Sequence, residues 1–349
     1  MAEPDRLRCA VIGAGRMGMV HGHLLQVYPG TELVGFVDPV RGTEGRLASQ
    51  GLRAPVYASV AELYAATDPQ AVFVCTPTHT HLGVTRECLA RPVHVFMEKP
   101  VATSVADADA IRDLAREKQV MHAVGYVYAH LPIVEAAQAL VARGVLGEVL
   151  RFTAHAYISE VFSAKSGWFF QKELAGGGVV ANMGSHVLFI LGWLFGPVRR
   201  VMATTRSHAS GVDDSAQALL WFEGGVTGML DTSWSMPGAQ MLDYGLTIDG
   251  RHGTLVLARE RILLHLLRPA EGYPEGWTEI HASDLPADTA FDISPHIGGE
   301  AFYRQLRVFE QACRFRTLPF CSLDQGANTQ RMIEGIYASA ASGKPVEWP

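Results

Sequence analysis

The sequence predicts two domains of different class. The first is an α/β domain on a parallel sheet, and the second is an α+β domain with a mostly antiparallel sheet. Three observations carry this. The chain has 349 residues, more than the roughly 150 usual for one domain. Its first 125 residues or so alternate short β-rich apolar runs with helix-like stretches, the pattern of βαβ units around a sheet buried on both faces. After Glu148 long strand-like runs follow one another with few helices between them, the pattern of antiparallel hairpins.

In chain order, the apolar runs LRCAVIG, ELVGFVD, AVFVCTP, VHVFMEKP and QVMHAVGY read as five parallel strands. Helices are expected between them, among others over Val60–Ala66, His81–Ala90 and Ser104–Lys118. A further helix over Pro132–Arg143 stops at Gly144–Gly147. The boundary is set by the change of period, giving a first domain over 1–126 and a second over 127–349. The second opens with the strand VLRFTAHAYI and a loop holding Trp168, Phe169 and Phe170. A GGG turn and a helix around Ala181–Leu194 follow, then the strands VRRVMATTRS, SAQALLWF, GVTGMLDTSW, YGLTIDG, GTLVLA and RILLHLL. Two closing helices are read over about Gly298–Arg314 and Leu323–Ser342, the last one free to pack back on the first domain.

Composition narrows the function. Apolar residues are 48% of the chain, and 29 Lys and Arg against 35 Asp and Glu leave a net charge of −6. No basic stripe for nucleic acid is present, and attraction to anionic membrane is not expected. Five cysteines, Cys9, Cys75, Cys88, Cys313 and Cys321, make no CxxC pair or metal spacing, which fits reduced thiols in a cytoplasm. The charged start MAEPDRLRCAVIG has no signal-peptide pattern. The uncharged run Leu174–Val198 carries GGG, Asn182, Ser185 and His186 and reads as a buried helix rather than a membrane span. No metal is expected at His79 and His81, because no carboxylate or Cys cluster accompanies them. Asp213–Asp214 is read as a solvated turn.

The clearest chemical signal is GAGRMG at Gly13, Ala14, Gly15, Arg16, Met17 and Gly18. It follows an apolar strand and opens a helical run, the context in which GxGxxG marks a dinucleotide-binding Rossmann turn. Gly13 permits the tight turn, Gly15 lets backbone approach a pyrophosphate and Gly18 lets helix and strand pack closely. The anion would rest on the free N–H groups of the helix start. Asp38 ends the second strand 20 residues beyond Gly18, where a carboxylate grips the adenosine ribose. Its charge would repel a 2′-phosphate, which favours NAD over NADP, while Arg41 leaves some room for NADP.

VIGAGRMG with His21, VCTPTHTH (Val74–His81), MEKP (Met97–Pro100), VLGEVLRF, LAGGGVVANMGSHVL (Leu174–Leu188) and the closing AASGKPVEW together resemble the glucose–fructose oxidoreductase / inositol dehydrogenase (Gfo/Idh/MocA) family. The resemblance covers essentially the whole chain. It implies an NAD(P)-dependent enzyme that oxidises a secondary alcohol of a sugar, inositol or related polyol. It also implies an open-faced sheet in the second domain that mediates oligomers, so a homodimer or homotetramer is expected. By the same resemblance Lys99 is the lysine that touches the nicotinamide ribose and the reacting hydroxyl, its cation stabilising alkoxide charge, and Lys99–Pro100 is a cis bond. Glu98 precedes it and orients the lysine. Thr76, Pro77 and His81 lie along the cofactor.

His186 matches the family's general acid/base, a role that suits an imidazole titrating near neutrality. The chain departs from the pattern beside it. Asn182 stands where Asp is common, four residues before the histidine and so on the same helix face, and Phe189 stands where another Asp is frequent. Asn182 can bond a substrate but cannot take a proton. Tyr128 and Ala129 stand where many relatives carry Arg, which fits a neutral substrate. Tyr126, Tyr128, His155 and Trp168 are candidates to line the pocket. Two alternatives stay open at this point. One is an NAD-dependent glycosidase or lyase that oxidises its glycoside transiently with no net NADH. The other is a non-catalytic NAD-binding sensor.

Overall fold

The computed structural model describes residues 6–163, 165–286 and 299–348. They form two compact units. The first holds residues 6–126 and 299–327, and the second holds 127–286 and 328–348.

The first unit is a doubly wound α/β sandwich. Its elements are β1 (Leu7–Ile12), α1 (Arg16–Val27), β2 (Thr31–Val37), α2 (Thr43–Ser49), β3 (Val56–Tyr57), α3 (Val60–Ala66), β4 (Ala71–Val74), α4 (His81–Cys88), β5 (His94–Met97), α5 (Val105–Glu117) and β6 (His122–Val124). The six strands run parallel in the order β3-β2-β1-β4-β5-β6. The strand order reverses beside β1, and the crevice above that point is where such sheets bind ligands. Strand interiors such as AVFV are apolar throughout because helices cover both faces. Phe73 and Phe96 stack at 4.8 Å, and both meet the edge of Phe309 on the helix Glu300–Phe315. Ser59 and Ser104 cap α3 and α5, each accepting the N–H three residues on. The short elements α2 and β3 were not named by the sequence reading. Seven and two residues are too few for a clear period.

The second unit carries α6 (Pro132–Ala142), β7 (Val149–Tyr157), α7 (Lys172–Ala175), a π-turn over Val180–Gly184 and α8 (Ser185–Phe195). β8 (Val198–Arg206), β9 (Ser215–Phe222), β10 (Thr227–Ser233), β11 (Asp243–Gly250), β12 (Gly253–Ala258), β13 (Arg261–Leu266) and β14 (Gly276–His281) follow. The helix Glu300–Phe315 is α9, α10 (Leu323–Ser342) begins in the first unit and continues in the second, and β15 is Val346–Glu347. The nine-stranded sheet has the order β14-β13-β12-β11-β7-β10-β9-β8-β15. β7 therefore lies between two meanders and pairs parallel with β10, while the other described pairs are antiparallel.

Strand alternation gives this sheet two different faces. Phe152, Ala154 and Ala156 of β7, Leu220 and Phe222 of β9, Leu246 and Ile248 of β11 and Leu264 of β13 are buried on one face, the side against which α6 and α8 pack. On the other face Leu219, Met229 and Trp277 are 42%, 48% and 65% exposed. Among the described residues one stretch, Lys172–Phe195, is long and apolar enough to cross a membrane, and most of it is buried within the protein.

Candidate active site

In the first unit the glycine turn closes over the sheet crest. Gly13 has φ +96°, and a Cβ there would come within 2.9 Å of the Cys75 and Thr76 backbone, so both conformation and space demand glycine. A Cβ on Gly18 would strike the Gly13 carbonyl oxygen at 1.9 Å, whereas one on Gly15 meets no protein atom within 4 Å. The space above Gly15 is thus open at the start of α1, whose first N–H groups lack partners within the helix. Asp38 reaches this turn: its Oδ2 accepts the Ala14 N–H at 2.9 Å and its Oδ1 the Val40 N–H at 2.9 Å. A bare glycine, free helix N–H groups and a carboxylate beside them suit a dinucleotide pyrophosphate and ribose. Arg46 was missed by the sequence reading. It reaches back from α2 to donate to the Ala14 carbonyl at 2.8 Å, and nothing in its spacing marks it.

Further along the crest, the Lys99–Pro100 peptide is cis. Burial pushes the Lys99 ammonium down to about 8, with the Glu98 carboxylate acting in the opposite direction. Glu98 is itself buried. Its Oε1 bonds His21 Nε2 at 2.7 Å and its Oε2 accepts the Lys99 N–H at 3.2 Å. His81 is buried with Nδ1 3.0 Å from the Val101 carbonyl and Nε2 2.9 Å from that of Thr76, and burial lowers its pKa. Thr76, followed by Pro77, is thereby tied to the segment that carries Lys99, and its hydroxyl accepts from Thr80 at 2.8 Å. Tyr126 belongs to this unit and its side chain is fully buried.

In the second unit His186 is the second residue of α8, with only Ser185 between it and the π-turn that holds Asn182, a type of helix distortion frequent at functional sites. The imidazole is buried and stacks on Tyr128 at 4.2 Å between centroids and 27° between planes. Tyr244 stacks on the other side of this column, 5.6 Å from Tyr128. Burial raises the Tyr128 and Tyr244 phenols, Tyr244 to about 12. Tyr244 escaped the sequence reading, although the alternation Tyr244, Leu246, Ile248 marks it as inward-facing. Tyr128 and His186 are therefore brought together and His155 is not with them. His155 pairs with Gly245 and alternates with the buried Ala154 and Ala156, so it lies on the sheet's opposite face, stacked on Tyr157 and 3.4 Å from Asp243. Trp168 is exposed at 40% and meets the edge of Phe169.

Asp213 and Asp214 correct the expectation of a solvated turn, since both are buried. Asp213 accepts the Gly178 N–H at 2.6 Å, the Val180 N–H at 3.0 Å and the Tyr337 hydroxyl at 2.9 Å. It thus anchors the segment that leads into Asn182 and His186. Asp214 accepts N–H groups from His208, Ala209 and Ser210, the Ser210 hydroxyl and the Trp234 indole N–H. Burial opposes its ionisation, but these donors outweigh burial and hold the carboxyl at about 2. Loop donors, which sequence does not locate, make both carboxylates structural. Among the described residues no group of three His, Cys, Asp or Glu is placed to hold a metal ion.

A glycine cradle at a sheet switch point with a carboxylate at its rim, and a lysine turn on the same crest, define an NAD-binding oxidoreductase of the Rossmann class. The chain belongs to the Gfo/Idh/MocA family. Residues 7–126 match its oxidoreductase, NAD-binding Rossmann-fold domain and residues 134–256 match its C-terminal domain. It is similar to the D-glucoside 3-dehydrogenase of Escherichia coli, 26% identical over 98% of this chain and 97% of that one. It is also similar to the rhizopine catabolism protein MocA of Rhizobium meliloti, 25% identical over 66% of this chain and 73% of that protein. Among solved structures it superimposes on GenD2 from gentamicin A biosynthesis in complex with NAD. The TM-score is 0.81 at 26% identity, over 100% of this chain and 98% of that one.

Proposed function

We propose that this enzyme oxidises a secondary hydroxyl of a neutral sugar, inositol or related polyol, with NAD favoured over NADP. The observation that carries the reading is Lys99 on the same crest as the cradle, with its pKa drawn to about 8. Bound NAD would be held by Gly13, Ala14, Gly15, Arg16, Met17 and Gly18, with Asp38 on the ribose and Thr76 and Pro77 along its length, the buried His81 holding Thr76 in place, and would supply the hydride acceptor. Asp38 is the reason for NAD, since a 2′-phosphate would meet its charge.

In this reading the Lys99 ammonium holds the oxygen of the reacting carbinol and stabilises the charge that develops as its proton leaves. His186 takes that proton, its ring plane set by the Tyr128 stack. Asn182 bonds a neighbouring substrate hydroxyl. The names of the relatives, a glucoside 3-dehydrogenase among them, support a polyol of this kind. We further propose that the exposed sheet face of the second unit seats a second copy of the chain.

The test is NADH formation with NAD⁺ and, separately, NADP⁺ across inositols, free sugars and glycosides, with Lys99→Met as control. NADH that disappears with Lys99→Met, while the variant still binds cofactor by fluorescence titration, is the expected result. Normal kcat in Lys99→Met would sink the assignment. Substrate loss without net NADH would point instead to a glycosidase or lyase with transient oxidation. Because the ammonium is the working form, activity is expected to decline as pH rises through about 8.

A further inference from the structure

The Lys99 turn is held from below by groups that no catalytic step uses. The Glu98 carboxylate divides its two oxygens between the His21 ring, at 2.7 Å, and the Lys99 backbone N–H, at 3.2 Å. His21 belongs to α1, the helix that opens the dinucleotide cradle. Its ring is packed by Phe73, Phe96 and Phe302 at 5.4, 4.9 and 6.1 Å between centroids, so it has one orientation in which to meet Glu98. From the other side Gly125 closes the pocket, since a Cβ there would lie 3.1 Å from Glu98 Oε1. A charged carboxylate at this depth is tolerable only when it is hydrogen-bonded and paired.

We propose that the buried His21–Glu98 pair is a positioning unit for Lys99, fixing the lysine turn to the cofactor-binding helix and setting a carboxylate beside the lysine. The inference rests on the reading of Lys99 given above. The titratable groups that face Glu98 are His21 from α1, Cys75 at the end of β4, His81 from α4 and Lys99 itself. Burial raises the Cys75 thiol and lowers the His81 imidazole. Burial draws the lysine down, and the nearby Glu98 charge opposes it.

The test compares Glu98→Gln, His21→Phe and His21→Gln with the parent. Glu98→Gln keeps shape and removes charge. His21→Phe keeps ring volume and removes the donor, while His21→Gln restores an N–H. The first readout needs no turnover. The pH dependence of acetic anhydride labelling of Lys99 in the cofactor-free protein is followed by peptide mass spectrometry, with the exposed Lys118 as internal reference. The expected result is a midpoint that falls by about 1–3 pH units in Glu98→Gln, falls similarly in His21→Phe and stays near the parent value in His21→Gln. The second readout is the pH profile of kcat, whose alkaline limb is expected to move with the labelling midpoint while KM changes little.

An unchanged labelling midpoint in folded Glu98→Gln, with folding checked by circular dichroism, overturns the proposal. So does a His21→Phe midpoint equal to that of the parent. A midpoint that moves while the kcat profile does not supports the pairing and instead refutes the catalytic role of Lys99.

Discussion

Gly15 and Gly18 share a motif but are glycine for different reasons, and the difference is measurable. A methyl on Gly18 would overlap the Gly13 carbonyl, whereas one on Gly15 meets no protein atom and its backbone, at φ −69°, suits any residue. Gly18→Ala is therefore expected to lose roughly 2 kcal/mol or more of stability through forced backbone movement. Gly15→Ala should melt within about 0.5 kcal/mol of the parent and yet bind NADH at least about tenfold more weakly, a cost of about 1.4 kcal/mol. Thermal melts and fluorescence titration of both variants separate the two outcomes, and equal NADH affinity in Gly15→Ala would exclude the cradle. At this scale much of the first unit was legible. The glycines and Asp38 sit at fixed offsets from strands that the apolar pattern reveals, and Lys99 is named by the family resemblance of its MEKP segment. What escaped were residues whose role depends on distant partners. Arg46 meets Ala14 across 32 positions and Glu98 meets His21 across 77. No local pattern encodes either pairing.

The elements around His186 make the same point one level up. Strands of the sheet below them were readable because their buried faces alternate. The π-turn was not, because its five residues carry no period of their own and are held by Asp213 and Tyr337 from far along the chain. β14 and β15 also went unread. β14 buries none of its residues and β15 has only two. Asp214, at the entrance to β9, ties the 208–210 loop to Trp234 at the end of β10. Its carboxyl titrates at about 2 in the fold against an ordinary value of 3.8. A depressed acid stabilises the folded state above its unfolded pKa, and that stability is lost as pH falls through the folded pKa. Asp214→Asn is thus expected to cost roughly 2 kcal/mol near pH 7 and to flatten the fall in stability between about pH 4 and pH 2. Urea melts across that range check it, and an undiminished acid transition would remove Asp214 from the account.

On the scale of the whole molecule, the outer sheet face exposes apolar side chains that a partner surface would cover. Cross-strand register lines up Met202, Leu219, Met229, Thr153, Thr247, Val256 and Leu263 in one row from β8 to β13. None of the seven is charged and none is buried. The adjoining row instead carries charged side chains, including Arg200, Arg151 and Asp249. An uncharged centre with a charged border is the anatomy of an interface core and rim. With strands about 4.8 Å apart and about 20 Å long, the eight longer strands present about 800 Å², the area one partner contributes to a standard stable interface. A face that pairs with its own copy about a twofold axis meets itself row against row, which suits a central apolar row. Leu219→Lys with Met229→Lys places two charges on that row without touching the buried face. The double variant is expected to keep its fold and its NADH affinity while its mass by light scattering halves, from a dimer to a monomer or from a tetramer to a dimer. A parent that is itself monomeric at micromolar concentration, or a double variant whose mass equals that of an oligomeric parent, would show that this face is not where copies meet.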